Sequence, residues 1–254
     1  MMWLTSISRS PACVALLTQV FAFIAILLLI LTLQEQPLSL IQWAMLQGAI
    51  AAMISFRCRM ATWWIIIHLL FMPILTATLA LNIPAYWFCI GFLVLALIYG
   101  KTYQTQVPLY LSSQEVTKVL SSWLPKQHNF SFVDLGCGCG GLLKDLSQVQ
   151  SNGSYYGIEA APLPYLVSKL RNILFAPNNT IKWGDFWKDD LTHYDVVYAY
   201  LSPVPMKSLW EKARQEMQPG SIFISNSFIV PDVSPEKSIK LNDFSGSTLY
   251  MWRI

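Results

Sequence analysis

Phe132-Val133-Asp134-Leu135-Gly136-Cys137-Gly138-Cys139-Gly140-Gly141 decides how this chain is read. Its first four residues, apolar but for Asp134, have the pattern of a buried strand, and the glycines that follow break it sharply. A helix is expected to begin near Leu142. Glycines at such a strand-to-helix turn let the backbone approach a ligand closely, and the helix start offers free N–H groups. On spacing alone Gly136, Gly138 and Gly141 also satisfy G-x-G-x-x-G, the dinucleotide fingerprint, so the glycines leave the ligand open.

Three features around the turn narrow it. Asp134 lies two residues before Gly136, where a carboxylate reaches a cationic or amino group but would oppose a pyrophosphate. Glu159 ends the next strand in Tyr156-Gly157-Ile158-Glu159, an acceptor placed for ribose hydroxyls. Gly184-Asp185-Phe186 follows the third strand and offers an aromatic face beside a polar edge, suited to an adenine ring.

Outward from this motif, residues 101–254 alternate strand-length apolar runs with amphipathic segments, as in a parallel sheet flanked by helices. Strands are expected near 131–135, 154–158, 180–183, 194–200, 220–227, 237–242 and 247–253, and helices near 113–122, 141–149, 162–173 and 205–217. The short connection Asn242 to Ser247 makes the last two strands an antiparallel hairpin. The expected domain is an α/β Rossmann-like fold with a mostly parallel seven-stranded sheet.

The first hundred residues read differently. The chain is 54% hydrophobic and 12% charged, against about 25% charged residues in an average soluble domain. Residues 1–100 contain only Arg9, Arg57, Arg59 and Glu35 as charged side chains. Apolar stretches at 13–33, 38–56, 61–81 and 84–100 each approach the ~20 residues needed to cross a bilayer, so a four-span anchor in the lipid bilayer is expected over residues 1–100. Gln42 and Gln47 interrupt the second stretch. Arg9, Arg57, Arg59 and Lys101 fall on one side of such an arrangement, which puts both termini and the domain of residues 101–254 in the cytoplasm. Within the apolar stretches His68 is expected to be a neutral ring bonded to a neighbouring helix.

Charge and cysteine content exclude other classes. Net charge is +3, of which residues 101–254 supply +1, so nothing favours binding to nucleic acid, which relies on many Lys and Arg contacts. Five cysteines, with Cys137-x-Cys139 lacking further ligands nearby, suggest neither a disulfide framework nor a metal site.

The motif set resembles the class I S-adenosylmethionine-dependent methyltransferases, in which D-x-G-x-G follows a strand and an acidic residue ends the second strand. The resemblance covers residues 101–254. It implies S-adenosyl-L-methionine as cofactor, with Asp134, Gly136, Cys137, Gly138 and Gly140 around its methionine part, Glu159 at the ribose, and Asp185 and Phe186 beside adenine. Two further segments, Val107-Pro108-Leu109-Tyr110-Leu111-Ser112-Ser113 and Tyr198-Ala199-Tyr200-Leu201-Ser202-Pro203, resemble the protein-lysine methyltransferases that act on the ATP synthase c-subunit and the adenine nucleotide translocase, together with archaeal broad-specificity relatives. Ser112 and Ser113 stand where that family tends to have Pro and Thr, and Cys139 where Asp is usual. The resemblance implies a protein lysine at the membrane as acceptor, with Tyr110, Tyr200 and Ser202 as acceptor-pocket residues and the two tyrosines as walls of a channel. His193 is placed at the far end of strand four, and Lys169 and Arg171 on a solvated helix face. Methylation of a lipid or quinone-type molecule, or cofactor sensing without turnover, remains open.

Overall fold

The structure, a computed structural model, describes residues 11–33, 38–126 and 129–254. Arg9 and Glu35, which enter the charge reading above, lie outside the described residues. Two compact units are present, Met1–Phe88 and Cys89–Ile254. The division falls inside the fourth apolar stretch rather than at residue 100.

Four apolar helices occupy the four expected stretches: α1 Pro11–Thr32, α2 Leu40–Arg57, α3 Thr62–Ala80 and α4 Ala85–Tyr99. The four-span expectation is corrected to two helices, α1 and α3, that are both long and apolar enough to cross a bilayer. The reasons are physical. Gln42 and Gln47 dilute the apolar character of α2, and α4 has 15 residues, about 22 Å at ~1.5 Å each, short of a ~30 Å hydrocarbon core.

Small residues bring α2 and α3 together. Ala44, Gly48, Ala51, Ala52 and Ser55 are buried on one face of α2, and a Cβ on Gly48 would sit 2.3 Å from the Leu69 carbonyl oxygen. Only glycine allows this contact. Beside it, Gln47 Nε2 donates to Gln19 Oε1 at 2.8 Å, and Gln19 Nε2 donates to His68 Nδ1 at 2.9 Å. The ring therefore accepts at Nδ1 from a neighbouring helix, while the outward faces of α1 and α3 carry exposed Leu, Ile and Phe.

In the second unit a four-residue helical turn, Thr102–Thr105, is followed by α5 Gln114–Trp123, β1 Phe130–Leu135, α6 Gly141–Val149, β2 Gly153–Glu159, α7 Pro162–Phe175, β3 Thr180–Trp183, β4 Val196–Ala199, α8 Met206–Glu216, β5 Ile222–Asn226, β6 Lys237–Lys240 and β7 Thr248–Arg253. All seven expected strands and four expected helices are present. The sheet order is β3-β2-β1-β4-β5-β7-β6. Its first five strands are parallel, while β7 runs antiparallel between β5 and β6.

Both faces of the sheet are covered, so the central strands are apolar throughout. Phe132, Tyr198 and Ile224 pack towards α5 and α6, and Val133, Val197 and Phe223 pack on the opposite face against α8. The order reverses between β1 and β4, and in such sheets ligands bind outside the carboxyl ends of the strands beside that point.

Candidate active site

At the carboxyl end of β1 the chain passes through Gly136, Gly138 and Gly140, all left-handed, with φ of 77°, 53° and 69°. Gly138 faces segment 107–113: a Cβ there would lie 3.0 Å from Leu109 Cδ1 and 3.7 Å from the Tyr110 carbonyl oxygen, so the bare turn lets that segment pack closely over it. Glu159, buried at the end of β2, fixes the turn from below. Its Oε2 accepts from the Gly138 amide at 2.8 Å and its Oε1 from the Ala161 amide at 2.7 Å. Two amides use part of the carboxylate's acceptor capacity and leave lone pairs for hydroxyls.

A cleft with two lobes lies above these residues. Val107, Pro108, Leu109, Glu159, Pro164 and Phe186 line a smaller, apolar lobe, and Ser112, Asp134, Cys137, Cys139, Gly141 and Arg171 a larger, more polar one. Tyr110, Gly136 and Tyr200 border both. Arg171 was expected on a solvated face. Instead its Nη1 lies 3.1 Å from the point where a Cβ on Gly141 would be, over the start of α6, because the residue sits one helical turn from the buried Ser168 of α7.

Segment 107–113 is held over the cleft by two polar anchors that sequence reading missed. Ser112 Oγ and Tyr198 Oη are 2.9 Å apart, and Asn226 Nδ2 donates to the same Tyr198 oxygen at 3.1 Å. Tyr198 is fully buried, which pushes its phenol far above the ordinary range. Ser113 Oγ donates to Asp243 Oδ2 at 2.7 Å, and Asp243 also accepts from Ser245 and Ser247. These hydrogen bonds, that from Ser113 foremost, hold the Asp243 carboxyl well below its usual range.

Solved structures with this architecture include an RNA methyltransferase from Salinibacter ruber in complex with S-adenosyl-L-homocysteine, with a TM-score of 0.50 at 21% identity over 57% of this chain and 94% of that one. A partial similarity is to an S-adenosylmethionine-dependent methyltransferase from Thiobacillus denitrificans in complex with S-adenosyl-L-homocysteine, the second structure, with a TM-score of 0.39 at 18% identity over 46% of this chain and 48% of that one. This chain thus spans about half the length of the second structure. No curated protein matches the chain. The family model of the ANTKMT methyltransferase domain matches residues 134–237. The C-terminal unit is a class I S-adenosylmethionine-dependent methyltransferase domain.

The residues of the methyltransferase domain fit this cofactor. Gly136 offers bare backbone to both lobes, whereas Gly138 and Gly140 are buried and border neither; α6 presents its N-terminus with no side-chain cap, and two buried carboxylates, Asp134 and Glu159, line the cleft as a positive charge and ribose hydroxyls require. Burial, and then the proximity of Glu159, push the Asp134 carboxyl up to about 8. A cation beside it reverses that shift by favouring the ionised form.

The remaining expected site residues are distributed as follows. Phe186 is buried and lines the apolar lobe. Asp185 is exposed, and its Oδ1 accepts from the Trp187 amide at 3.1 Å to cap the turn Phe186–Lys188; it does not border either lobe. Cys137 is buried with its thiol pushed up, by burial first and then by Asp134 and Glu159. Ser202 is buried, borders neither lobe, and its hydroxyl has no partner among the described residues. His193 is exposed beside Asp190. Tyr110 and Tyr200 meet, though not as opposite walls of a channel. Their rings stack at 4.8 Å between centroids with 17° between planes, which leaves no room for an alkyl chain between them. Phe228 tilts against Tyr110 at 5.8 Å.

Proposed function

We propose that this chain is a membrane-anchored methyltransferase that modifies a lysine amine of a membrane-associated protein. The carrying observation is the stacked Tyr110–Tyr200 pair, which borders both lobes of the cleft. Its outer faces and edges offer an alkylammonium product cation–π stabilisation. No histidine or lysine is among the described residues lining the polar lobe. An acceptor there needs its own lone pair, and an amine acquires one when desolvation lowers its pKa. The bound cofactor supplies a methyl group on a sulfonium, and the protein's part is to align the acceptor with it.

The membrane reading draws on side chains rather than on helix count. A helix at the surface of a water-soluble bundle has a polar face. Here α4 buries no side chain although it is apolar throughout, and α1 and α3 expose Leu, Ile and Phe on their outward faces. Small-residue contacts such as Gly48 against Leu69 are those by which helices associate in lipid. On this reading α1 and α3 cross the bilayer and tether the methyltransferase domain to it. The ANTKMT match over residues 134–237 agrees with the resemblance to protein-lysine methyltransferases drawn from segments 107–113 and 198–203.

The test is transfer of labelled methyl from S-adenosylmethionine into membranes containing the full chain, with Gly138→Arg as control, followed by separation of protein from lipid. Label on lysine of a membrane protein, absent in the control, is expected. Label in lipid would replace the acceptor with a lipid or quinone-type molecule, and cofactor binding without transfer would make the protein a sensor.

A further inference from the structure

Helix α7 is inverted relative to a surface helix of a soluble domain. Pro164, Ser168 and Asn172 face inward and are buried, whereas Leu166, Leu170, Ile173 and Leu174 face outward at 58–62% exposure. Spacings of four, three and one place those four on a single stripe. Asn172 Nδ2 donates to the Asn179 carbonyl at 2.7 Å, tying the inward face of α7 to the turn before β3, and Ser168 Oγ donates to the Tyr165 carbonyl at 2.8 Å, while Asn172 Oδ1 has no partner among the described residues. The helix is therefore locked in this rotation.

The surroundings of the stripe indicate what covers it. The only charged residues of α7 are Lys169 and Arg171, with no acidic side chain. At its start Tyr165 stacks with Trp183 at 6.0 Å, and Trp183 ends β3, the edge strand, 65% exposed. An apolar stripe flanked by lysine and by an exposed indole is the composition of a helix lying in the headgroup layer of a membrane. The same chain carries its apolar helices up to the cleft: Ile98 of α4 lines the apolar lobe, together with Lys101, Thr102 and Thr105 just beyond the helix.

We propose that α7 seats the methyltransferase domain on the bilayer, with Leu166, Leu170, Ile173 and Leu174 in the headgroup–acyl boundary. This rests on the membrane reading of α1 and α3. The opposite side of α7 contributes Pro164 and Arg171 to the cleft, so seating the helix brings the cleft to the lipid surface and restricts acceptors to groups presented there.

The experiment uses the full chain in vesicles of phosphatidylcholine and phosphatidylglycerol, in a background without the other accessible cysteines. A nitroxide is attached at Leu170→Cys, Ile173→Cys, Lys240→Cys on the far sheet edge, or Ile74→Cys in α3. Collisions with oxygen, which partitions into lipid, are compared with those of a water-soluble nickel chelate. Oxygen should dominate at 170, 173 and 74, and nickel at 240. Nickel dominating at 170 and 173 while oxygen dominates at 74 overturns the seating of α7 and leaves the anchor intact. Nickel dominating at 74 as well overturns both readings. Shielding of 170 and 173 from both reagents means that protein covers the stripe, which also overturns the proposal.

Discussion

The amide of Gly138 donates to Glu159 Oε2 at 2.8 Å, so the glycine turn after β1 hangs from the carboxylate that ends β2. One side chain thus both shapes the turn and lines the cleft. Glu159→Ala removes a charge-assisted hydrogen bond to backbone as well as an acceptor for cofactor hydroxyls. Bonds to charged groups contribute about 1.5–3 kcal/mol, so cofactor affinity should fall roughly ten- to hundredfold by calorimetry. Glu159→Gln, which keeps one carbonyl oxygen, should lie between. Equal affinity for all three proteins would remove Glu159 from the binding site.

Asp134 predicts a pH dependence. Its carboxyl, pushed up to about 8 by burial and by Glu159, is protonated at neutral pH until a cation arrives. Binding a positively charged cofactor then releases a proton. Affinity should rise with pH, by at most about tenfold per unit, and level off above the Asp134 value. Asp134→Asn should bind more weakly and flatten that rise. A wild-type affinity independent of pH between 6 and about 8 would show that Asp134 does not meet the cation.

Tyr198 anchors segment 107–113 from within the sheet. Tyr198→Phe leaves Ser112 Oγ and Asn226 Nδ2 without their shared partner, and an unsatisfied buried group costs about 1–3 kcal/mol. Thermal unfolding of the domain should occur several degrees lower, and cofactor dissociation should quicken because the segment over the cleft is released. Ser112→Ala should be milder, since the phenol keeps Asn226. An unchanged dissociation rate in both variants would make the anchor purely structural.

The Tyr110–Tyr200 stack separates packing from chemistry. Tyr200→Phe keeps the ring pair, whereas Tyr200→Ala loses it, together with about 0.5–1.5 kcal/mol of stacking beyond the buried area. Methyl transfer should survive the first and fall in the second. Loss of transfer in Tyr200→Phe with cofactor affinity intact would instead give the hydroxyl a proton-handling role.

What the sequence discloses and what it hides follow the range of the forces involved. The inner strands of the sheet and the glycine turn are readable because each is written in consecutive residues: apolar runs of strand length, stopped by Gly or Pro; β6, exposed throughout, is legible only as the other half of a hairpin with β7. The fit of Asp134 and Glu159 beside the turn was readable for the same reason. Ser112 and Tyr198 lie 86 positions apart, and nothing local marks them as partners. Arg171 looked like any helix-surface cation until the packing of Ser168 fixed which way α7 turns. Asp185 was read for its charge, but a free amide two residues on claimed its carboxylate. The helical unit misled through length, because apolar content alone cannot tell a 15-residue helix from one that crosses a bilayer unaided.

The placement of β7 bears on how the protein is made. This strand lies between β5 and β6, and β6 is bonded to β7 alone. During synthesis the helices of the first unit leave the ribosome before any strand of the sheet, whereas β6 must wait unpaired until Thr248–Arg253 has emerged. Until then β5 presents a bare edge able to pair with another chain. A nascent chain stalled before Thr248 would therefore be aggregation-prone, with one sheet edge open while the rest of the fold has already formed.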